Sequence, residues 1–296
     1  MIRDDGGTTG VTLRGRRIYG PTEPAHWVRC SRETPLSAVE VSEVVEIIST
    51  GRITGSSAHL PERLRTRDWD SVRRVELELD RRLGWPSAGW KVGAASDEVR
   101  QAEGLPGPIP GRLYQGRVFK GPALIPGDLF INYRNVECEL AFHLAEGFAA
   151  RSEPYTETEV AARIRDLVPA LEIGDMVFED WYGSSGYFGS CLDNGGGGVL
   201  VYGEPVAAWR SLNLPEAELR LHVNGSFVKS GAGQAAMGHP LTSLTWLVNW
   251  VCGNGLPIAA GEVISTGTCT GHCFVAPGDE VTLDVPGIGA VSASFA

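Results

Sequence analysis

The chain has 296 residues, of which 43% are hydrophobic and 21% charged, the balance of an ordinary globular protein. This composition excludes an intrinsically disordered chain, which has too little apolar surface to offset the entropy lost on ordering. The formal net charge of −10 argues against nucleic acid or an anionic membrane as the main partner, since both require a basic protein face.

The sequence shows neither a membrane span nor a secretory signal. No apolar run approaches the roughly 18–20 residues that cross a bilayer. The N-terminal residues are charged and rich in glycine, and they lack the apolar core of a signal peptide. We therefore expect a cytoplasmic protein.

The N-terminal part of the chain is predicted to be helical. Residues 1–34 have little periodic pattern, and we interpret them as a flexible tail followed by an irregular segment. Apolar residues at helical spacing predict a first helix over 35–48, with Gly51 as its C-terminal cap. A second helix is predicted over 69–83 and ends before Gly84.

From residue 90 onward, glycine and proline clusters separate short apolar runs, as is typical of strands and turns. The patterns predict strands over 136–145, 168–177, 262–266, 280–285 and 291–295, a hairpin turning at Asn224-Gly225, a helix over 156–167 capped by Thr156 or Thr158, and a helix around 244–251 capped by Thr242 or Ser243. We predict an α+β fold in which 35–89 form a helical N-terminal subdomain and 90–296 a mixed β catalytic body.

Two glutamates stand two residues apart in a predicted apolar strand. Glu137 and Glu139 therefore point to the same face, where they repel each other and lose hydration. Taken alone, the pair is equally compatible with a solvated surface strand. Glu172, in a second apolar run, adds a third carboxylate with no evident cationic partner, and such a set suits the hard cations Mg²⁺ or Mn²⁺.

The six cysteines are too sparse to predict a disulfide framework. We interpret four of them as reduced, mostly buried thiols: Cys30, Cys138, Cys191 and Cys252. The run that contains Cys269, His272 and Cys273 is interpreted as a loop with incidental thiols, because zinc sites usually need a second half-motif.

Lys91 is unusual because it lies inside an apolar segment flanked by Gly89 and Gly93. One interpretation is a lysine that packs its stem while its ammonium group reaches water. The other is an ammonium group held in a cleft, where it binds an anion or moves a proton.

Several motifs occur together in a recognisable order: GWKVGAAS, VECELAFHL, ALEIGD, DNGGGG, VNGSFVKSGAGQAAMGHPLTSLTWLVNW and AAGEVISTGT. Over residues 35–296 the chain resembles the 2-keto-4-pentenoate hydratase and 4-oxalocrotonate decarboxylase group of the fumarylacetoacetate hydrolase superfamily. The resemblance implies a mixed β-roll core, a divalent metal, a homo-oligomer and a small anionic 2-oxo or 2-hydroxydienoic acid as substrate.

The resemblance also implies roles for individual residues. The metal ligands would be Glu137, Glu139 and Glu172, the catalytic lysine Lys91, and the substrate-binding residues Gly93, Asn194, Thr266, Gly267 and Thr268. Two positions depart from the family pattern: Gly116 replaces an expected aspartate, and Gly196 an expected serine. Both replacements point to a specialised substrate.

We therefore expect a metal-dependent lyase, of hydratase or decarboxylase type, that works through a metal-stabilised enolate. One alternative is a C–C bond hydrolase that activates water with a His–acid pair. His143 is a candidate for that pair, although it lies four residues beyond Glu139 along the strand. Another alternative is a degenerate family member with a binding role.

Overall fold

The computed structural model describes residues 10–13, 16–19, 33–179 and 186–296. Contacts divide the chain into two units, unit 1 (Met1–Gly84 with Met176–Gly195) and unit 2 (Trp85–Asp175 with Gly196–Ala296). The division of the chain at 34/35 and 89/90 stays a prediction, and most of the predicted tail lies outside the described residues. None of the helices in the described ranges is long and apolar enough to cross a membrane.

The described residues form six α-helices and fifteen strands. The helices are α1 (Ala38–Thr54), α2 (Trp69–Leu83), α3 (Asp97–Glu103), α4 (Glu157–Ala162), α5 (Gly186–Leu192) and α6 (Pro240–Gly253). The strands are β1 (Gly10–Leu13), β2 (Arg16–Tyr19), β3 (Ser87–Gly93), β4 (Ile109–Tyr114), β5 (Val118–Lys120), β6 (Ala123–Ile125), β7 (Asn135–Leu144), β8 (Ile164–Gly174), β9 (Val199–Tyr202), β10 (Glu218–Val223), β11 (Ser226–Ala232), β12 (Val263–Ser265), β13 (Cys273–Phe274), β14 (Glu280–Val285) and β15 (Gly289–Phe295).

Unit 1 is built around α1 and α2, and the predicted bounds of α2 are confirmed. Helix α1 begins after Ser37, whose side chain forms a capping box with Glu40, and it ends at Gly55. The prediction of Gly51 as the cap was wrong. Gly51 lies inside the helix, and the position requires glycine because a Cβ there would come within 2.1 Å of the Val177 side chain.

An ion pair joins the two chain segments of unit 1. The guanidinium group of Arg52, on α1, donates two hydrogen bonds to the carboxylate of Asp193, at 2.6 and 2.8 Å. Both side chains are buried. The backbone N–H of Val177 also donates to Asp193. This network ties the 176–195 segment to α1.

Unit 2 contains two mixed sheets. One has eight strands, with the order β4-β3-β12-β7-β8-β9-β5 and with β13 paired to β7. The other has five strands, in the order β11-β10-β14-β15-β6. The predicted hairpin is confirmed, since Asn224 and Gly225 turn between β10 and β11 with φ of 51° and 75°. A continuous apolar core joins both sheets and α6, so the α+β architecture is confirmed.

Three predicted boundaries in unit 2 were wrong. Helix α4 starts after Thr156 as predicted but ends at Ala162, because the following residues pair along β7 as strand β8. That strand in turn ends at Gly174 and does not reach residue 177. Helix α6 starts earlier than predicted, with the His239 side chain accepting from the N–H of Leu241.

Candidate metal centre

Strands β7 and β8 bring three carboxylates together on one face of the eight-stranded sheet. Glu137 lies directly opposite Glu172 in the antiparallel register, and Glu139 lies opposite Ala170. Each glutamate offers one carboxylate oxygen, and these oxygens lie within 4.8 Å of one another. Among the described residues, this is the only such group of three or more acidic, histidine or cysteine side chains.

Glu139 is the most enclosed of the three, with no exposed surface. Its Oε2 accepts hydrogen bonds from the hydroxyl of Ser265 and from the backbone N–H of Gly267, the latter at 2.9 Å. Its Oε1 is buried without a hydrogen-bond donor among the described residues. Burial and the negative charges of Glu172 and Glu137 raise the pKa of Glu139 well above the ordinary carboxyl range.

Lys91 supplies the ammonium group of the centre. It lies on β3, and its Nζ is 3.1 Å from Oε1 of Glu172. Both residues are buried, with 3% of Lys91 and 4% of Glu172 exposed. Burial opposes the charged form, but the carboxylates of Glu172, Glu137 and Glu139 outweigh it and raise the pKa of Lys91. The packed-stem interpretation, in which this ammonium group reaches water, is therefore wrong.

Glu137 lies on the more open side of the centre. Its Oε1 is 2.8 Å from Nδ2 of Asn135 and 2.8 Å from Nδ1 of His272. Burial would raise the pKa of Glu137, but His272, Lys91 and Asn135 together hold it below its ordinary value. Glu137 is thus the carboxylate held most firmly in its charged form.

The residues present fit a hard divalent cation. Three carboxylates face one ammonium group, so the centre carries an excess of two negative charges when all three are ionised. A cation with two positive charges would cancel that excess, and carboxylate oxygens are the ligands that Mg²⁺ and Mn²⁺ prefer. The orphaned Oε1 of Glu139 is the clearest sign of a missing positive partner, because a buried oxygen without one is costly.

The loop after β12 contributes through its backbone. Gly267 has φ of 106°, a conformation that favours glycine, and its N–H donates to Glu139. The hydroxyl of Thr266 is buried and donates to the carbonyl of Leu140, and the hydroxyl of Thr268 accepts from the N–H of Gly271. Both threonine side chains therefore brace the loop in this structure.

The remaining predicted residues fall in different places. Gly93 ends β3, and a Cβ at this position would lie 3.7 Å from Nζ of Lys91. Asn194 belongs to unit 1, with φ of 55°. Gly116 and Gly196 both have positive φ, of 81° and 69°, which a glycine adopts without strain.

Three residues of the centre were missed by sequence reasoning. Ser265 carries a detectable signal, because a buried serine in an apolar strand needs a partner. Asn135 precedes the predicted strand and had no such signal. His272 was considered only as part of a loop with incidental thiols, and the contact of its ring with Glu137 was not predicted. The neighbouring Cys269 is buried, as are Cys138, Cys191 and Cys252, which agrees with free thiols, whereas Cys30 lies outside the described residues.

The chain is similar to known sequences. Residues 120–296 match the model of the Fumarylacetoacetate (FAA) hydrolase C-terminal family. The 2-keto-4-pentenoate hydratase of Paraburkholderia xenovorans (strain LB400) is 32% identical over 225 residues, covering 76% of this chain and 82% of the relative. The 4-oxalocrotonate decarboxylase of Pseudomonas putida is 33% identical over 137 residues, or 46% of this chain and 51% of the relative.

The fold is also similar to that of a solved enzyme. The structure of 4-oxalocrotonate decarboxylase from Pseudomonas putida G7, complexed with magnesium and adipate, has a TM-score of 0.79 and 25% sequence identity, covering 90% of this chain and all of the other. A second structure of that protein, complexed with calcium and acetate, has a TM-score of 0.77. The mixed β core expected from the sequence resemblance is confirmed by these comparisons.

Proposed function

Because the chain belongs to the fumarylacetoacetate hydrolase C-terminal family, we propose that it is a divalent-metal-dependent lyase acting on a small 2-oxo or 2-hydroxydienoic acid. The observation that carries the proposal is the convergence of three carboxylates beside one buried ammonium group. Relatives named as hydratases and a decarboxylase support the same reaction class.

In this proposal Glu137, Glu139 and Glu172 hold the cation, and Mg²⁺ or Mn²⁺ is the expected ion. A bound cation supplies Lewis-acid polarisation of the substrate's 2-oxo oxygen and compensates the charge of its carboxylate. Support comes from the oxygen-only donor set and from the magnesium complex of the similar decarboxylase.

Lys91 is proposed as the proton donor to a substrate carbon. Its ammonium group lies beside the carboxylates in a setting from which water is largely excluded. A protonated amine there can deliver a proton without first recruiting one from solvent. Gly93 leaves space next to that ammonium group, since even a methyl group there would approach it to 3.7 Å.

Hydratase and decarboxylase chemistry make the same demand on this centre, because both develop negative charge at the 2-oxo oxygen. The C–C bond hydrolase alternative receives less support. Its candidate base, His143, does pair with an acid, since its Nδ1 lies 2.6 Å from Oδ1 of Asp166. However, His143 lies four residues beyond Glu139 on the same strand, away from the three glutamates. At about 3.3 Å per residue, that offset is roughly 13 Å along the strand.

We further propose a homo-oligomer. The two outer strands of the five-stranded sheet, β6 and β11, carry exposed apolar side chains: Leu124, Phe227 and Val228. Exposed apolar residues on an edge strand favour association. Light scattering at micromolar concentration should give at least twice the chain mass of 31.7 kDa, and a monomeric mass would contradict this part of the proposal.

The function is tested by product analysis. Purified protein is incubated with 2-hydroxypenta-2,4-dienoate or with 4-oxalocrotonate, with Mg²⁺, with Mn²⁺ or with a chelator, and products are followed by NMR. We expect turnover of one of these acids only when a divalent cation is present.

The matched variants are Glu139→Gln, which removes one carboxyl group from the centre, and Glu146→Gln, which makes the same change on the surface. Glu139→Gln should abolish cation-dependent turnover, and Glu146→Gln should leave it unchanged. Absence of turnover of both acids with saturating Mg²⁺ and Mn²⁺ would reject the proposed function.

A further inference from the structure

His272 reaches the centre through a strand of only two residues. Strand β13 pairs with β7 so that Cys273 lies opposite Val136. The preceding residue, His272, therefore comes beside Glu137 on the carboxylate face. Its backbone carbonyl accepts a hydrogen bond from Nζ of Lys229 at 2.5 Å, which fixes the main chain at this point.

The imidazole ring lies on the more exposed side of the centre. The side chain of His272 is 32% exposed, whereas Glu139, Glu172 and Lys91 are almost completely buried. Its Nδ1 lies 2.8 Å from both Oε1 of Glu137 and Nδ2 of Asn135, so the ring donates to Glu137 when Nδ1 carries a hydrogen and accepts from Asn135 when it does not. A neutral ring with its hydrogen on Nδ1 is enough to donate to that oxygen.

The three carboxylates share one pattern of contacts. Hydrogen-bond donors contact Oε2 of Glu139, and the ammonium group of Lys91 contacts Oε1 of Glu172. Asn135 and His272 both contact Oε1 of Glu137. In each glutamate at least one oxygen is thus held by a polar group of the protein. His272 is the only one of these partners with substantial exposure among the described residues, so it can be changed with the least damage to the core.

We propose that His272 is a positioning residue that holds Oε1 of Glu137 from the solvent side and thereby sets the affinity of the centre for its cation. The inference rests on the proposed function, because it takes Glu137 as a metal ligand. Hydrogen bonds to a ligating carboxylate fix its orientation, and their loss typically costs about 10–100-fold in metal affinity.

The test measures the Kd for Mn²⁺ alone, by the electron paramagnetic resonance signal of free Mn²⁺, in the full-length protein and three variants. His272→Ala should weaken binding by about 10–100-fold. His272→Asn should bind within a few-fold of the wild type, because its amide nitrogen can donate from nearly the position of Nδ1. His222→Ala removes an imidazole from β10, in the other sheet, and should change nothing.

Several results would overturn the inference. A His272→Ala protein with the wild-type Kd would remove the positioning role, and a His272→Asn protein as weak as His272→Ala would remove the hydrogen-bond explanation. A nitrogen coupling in the spectrum of bound Mn²⁺ that disappears in His272→Ala would make His272 a direct ligand. Failure of the wild type to bind Mn²⁺ or Mg²⁺ would instead reject the proposed function itself.

Discussion

The same face of strands β7 and β8 carries two polar clusters, one at each end. At one end Glu137 faces Glu172, and at the other His143 faces Asp166. Between them the face is apolar, with Ala141, Val168 and Ala170 completely buried. Two clusters on the same pair of strands can therefore be compared directly.

The two ends differ in how their charges are balanced. Asp166 receives Nδ1 of His143 at 2.6 Å and Nε of Arg165 at 2.7 Å, so both carboxylate oxygens have partners. At the other end three acids share one ammonium group, and Oε1 of Glu139 has no donor among the described residues. Burial of ionisable groups is common to both clusters, and only the deficit of positive charge distinguishes the candidate metal centre.

Lys91→Met should produce the largest effect, because it removes the positive group that we assign to proton donation while keeping the stem volume. We expect kcat to fall by about 10²–10⁴-fold. Mn²⁺ should still bind, since the loss of a neighbouring positive charge does not weaken attraction for a cation. Lys91→Arg should not restore activity, because a guanidinium group does not release its proton.

The measurement is kcat for each variant on whichever acid the wild type converts, together with an Mn²⁺ titration. A Lys91→Met enzyme within a few-fold of the wild type would remove Lys91 from the reaction. Loss of Mn²⁺ binding in the same variant would show that the ammonium group organises the carboxylates instead.

Asp166→Asn removes the carboxylate that His143 and Arg165 contact at the other end of the strands. The buried imidazole of His143 loses its charged partner, and we expect the free energy of unfolding to fall by about 1–3 kcal/mol. The Kd for Mn²⁺ should stay at the wild-type value, because the glutamates lie at the opposite end of the strands. Urea denaturation and Mn²⁺ titration check the two halves of this prediction, and a Kd shift beyond a few-fold would mean that the two ends are coupled.

The pH dependence of metal binding should be a smaller effect, and the pKa of Glu139 determines its sign. Because that pKa is raised by burial and by the charges of Glu172 and Glu137, the metal-free centre holds, at pH below that pKa, a proton that must leave when a cation binds. Affinity for Mn²⁺ should therefore rise with pH, by up to about tenfold per pH unit for one proton, and level off above the pKa of Glu139. Isothermal titration between pH 5.5 and 8.5 in buffers of different ionisation enthalpy measures both affinity and proton release.

The same shift affects the stability of the metal-free protein. A raised carboxyl pKa means that the folded state binds more protons than the unfolded chain between the ordinary carboxyl range and the pKa of Glu139. Its free energy of unfolding should thus fall as the pH rises through that window. In the titration of metal binding, a Kd for Mn²⁺ that stays constant between pH 5.5 and 8.5 would contradict a raised pKa of Glu139.

Alternation along a strand was enough to predict that Glu137 and Glu139 share a face. The strand pairing that brings Glu172 opposite Glu137 was not deducible from periodicity, because register depends on partners distant in sequence. The sequence resemblance implied that convergence, whereas the residues alone left it open.

The sequence predicted correctly the features that depend on neighbouring residues in the chain. It failed for features that depend on residues distant in sequence. The end of α2 and the Asn224-Gly225 turn depend on neighbouring residues, and both were predicted. Gly51 looked like a helix cap, but its role depends on Val177, which lies far along the chain. His272 was missed because a two-residue strand has no periodicity from which its neighbour across the sheet could be inferred.

The membership of 176–195 in unit 1 has a practical consequence. This segment leaves strand β8 shortly after Glu172, joins α1 through Asp193 and Arg52, and returns to unit 2. No single backbone cleavage can therefore separate the two units. A chain shortened to begin after Gly84 would keep 176–195 but lose the helix that this segment pairs with, and would leave Asp193 without its guanidinium partner. Isolating unit 2 intact requires two excisions and a new linker between residues 175 and 196.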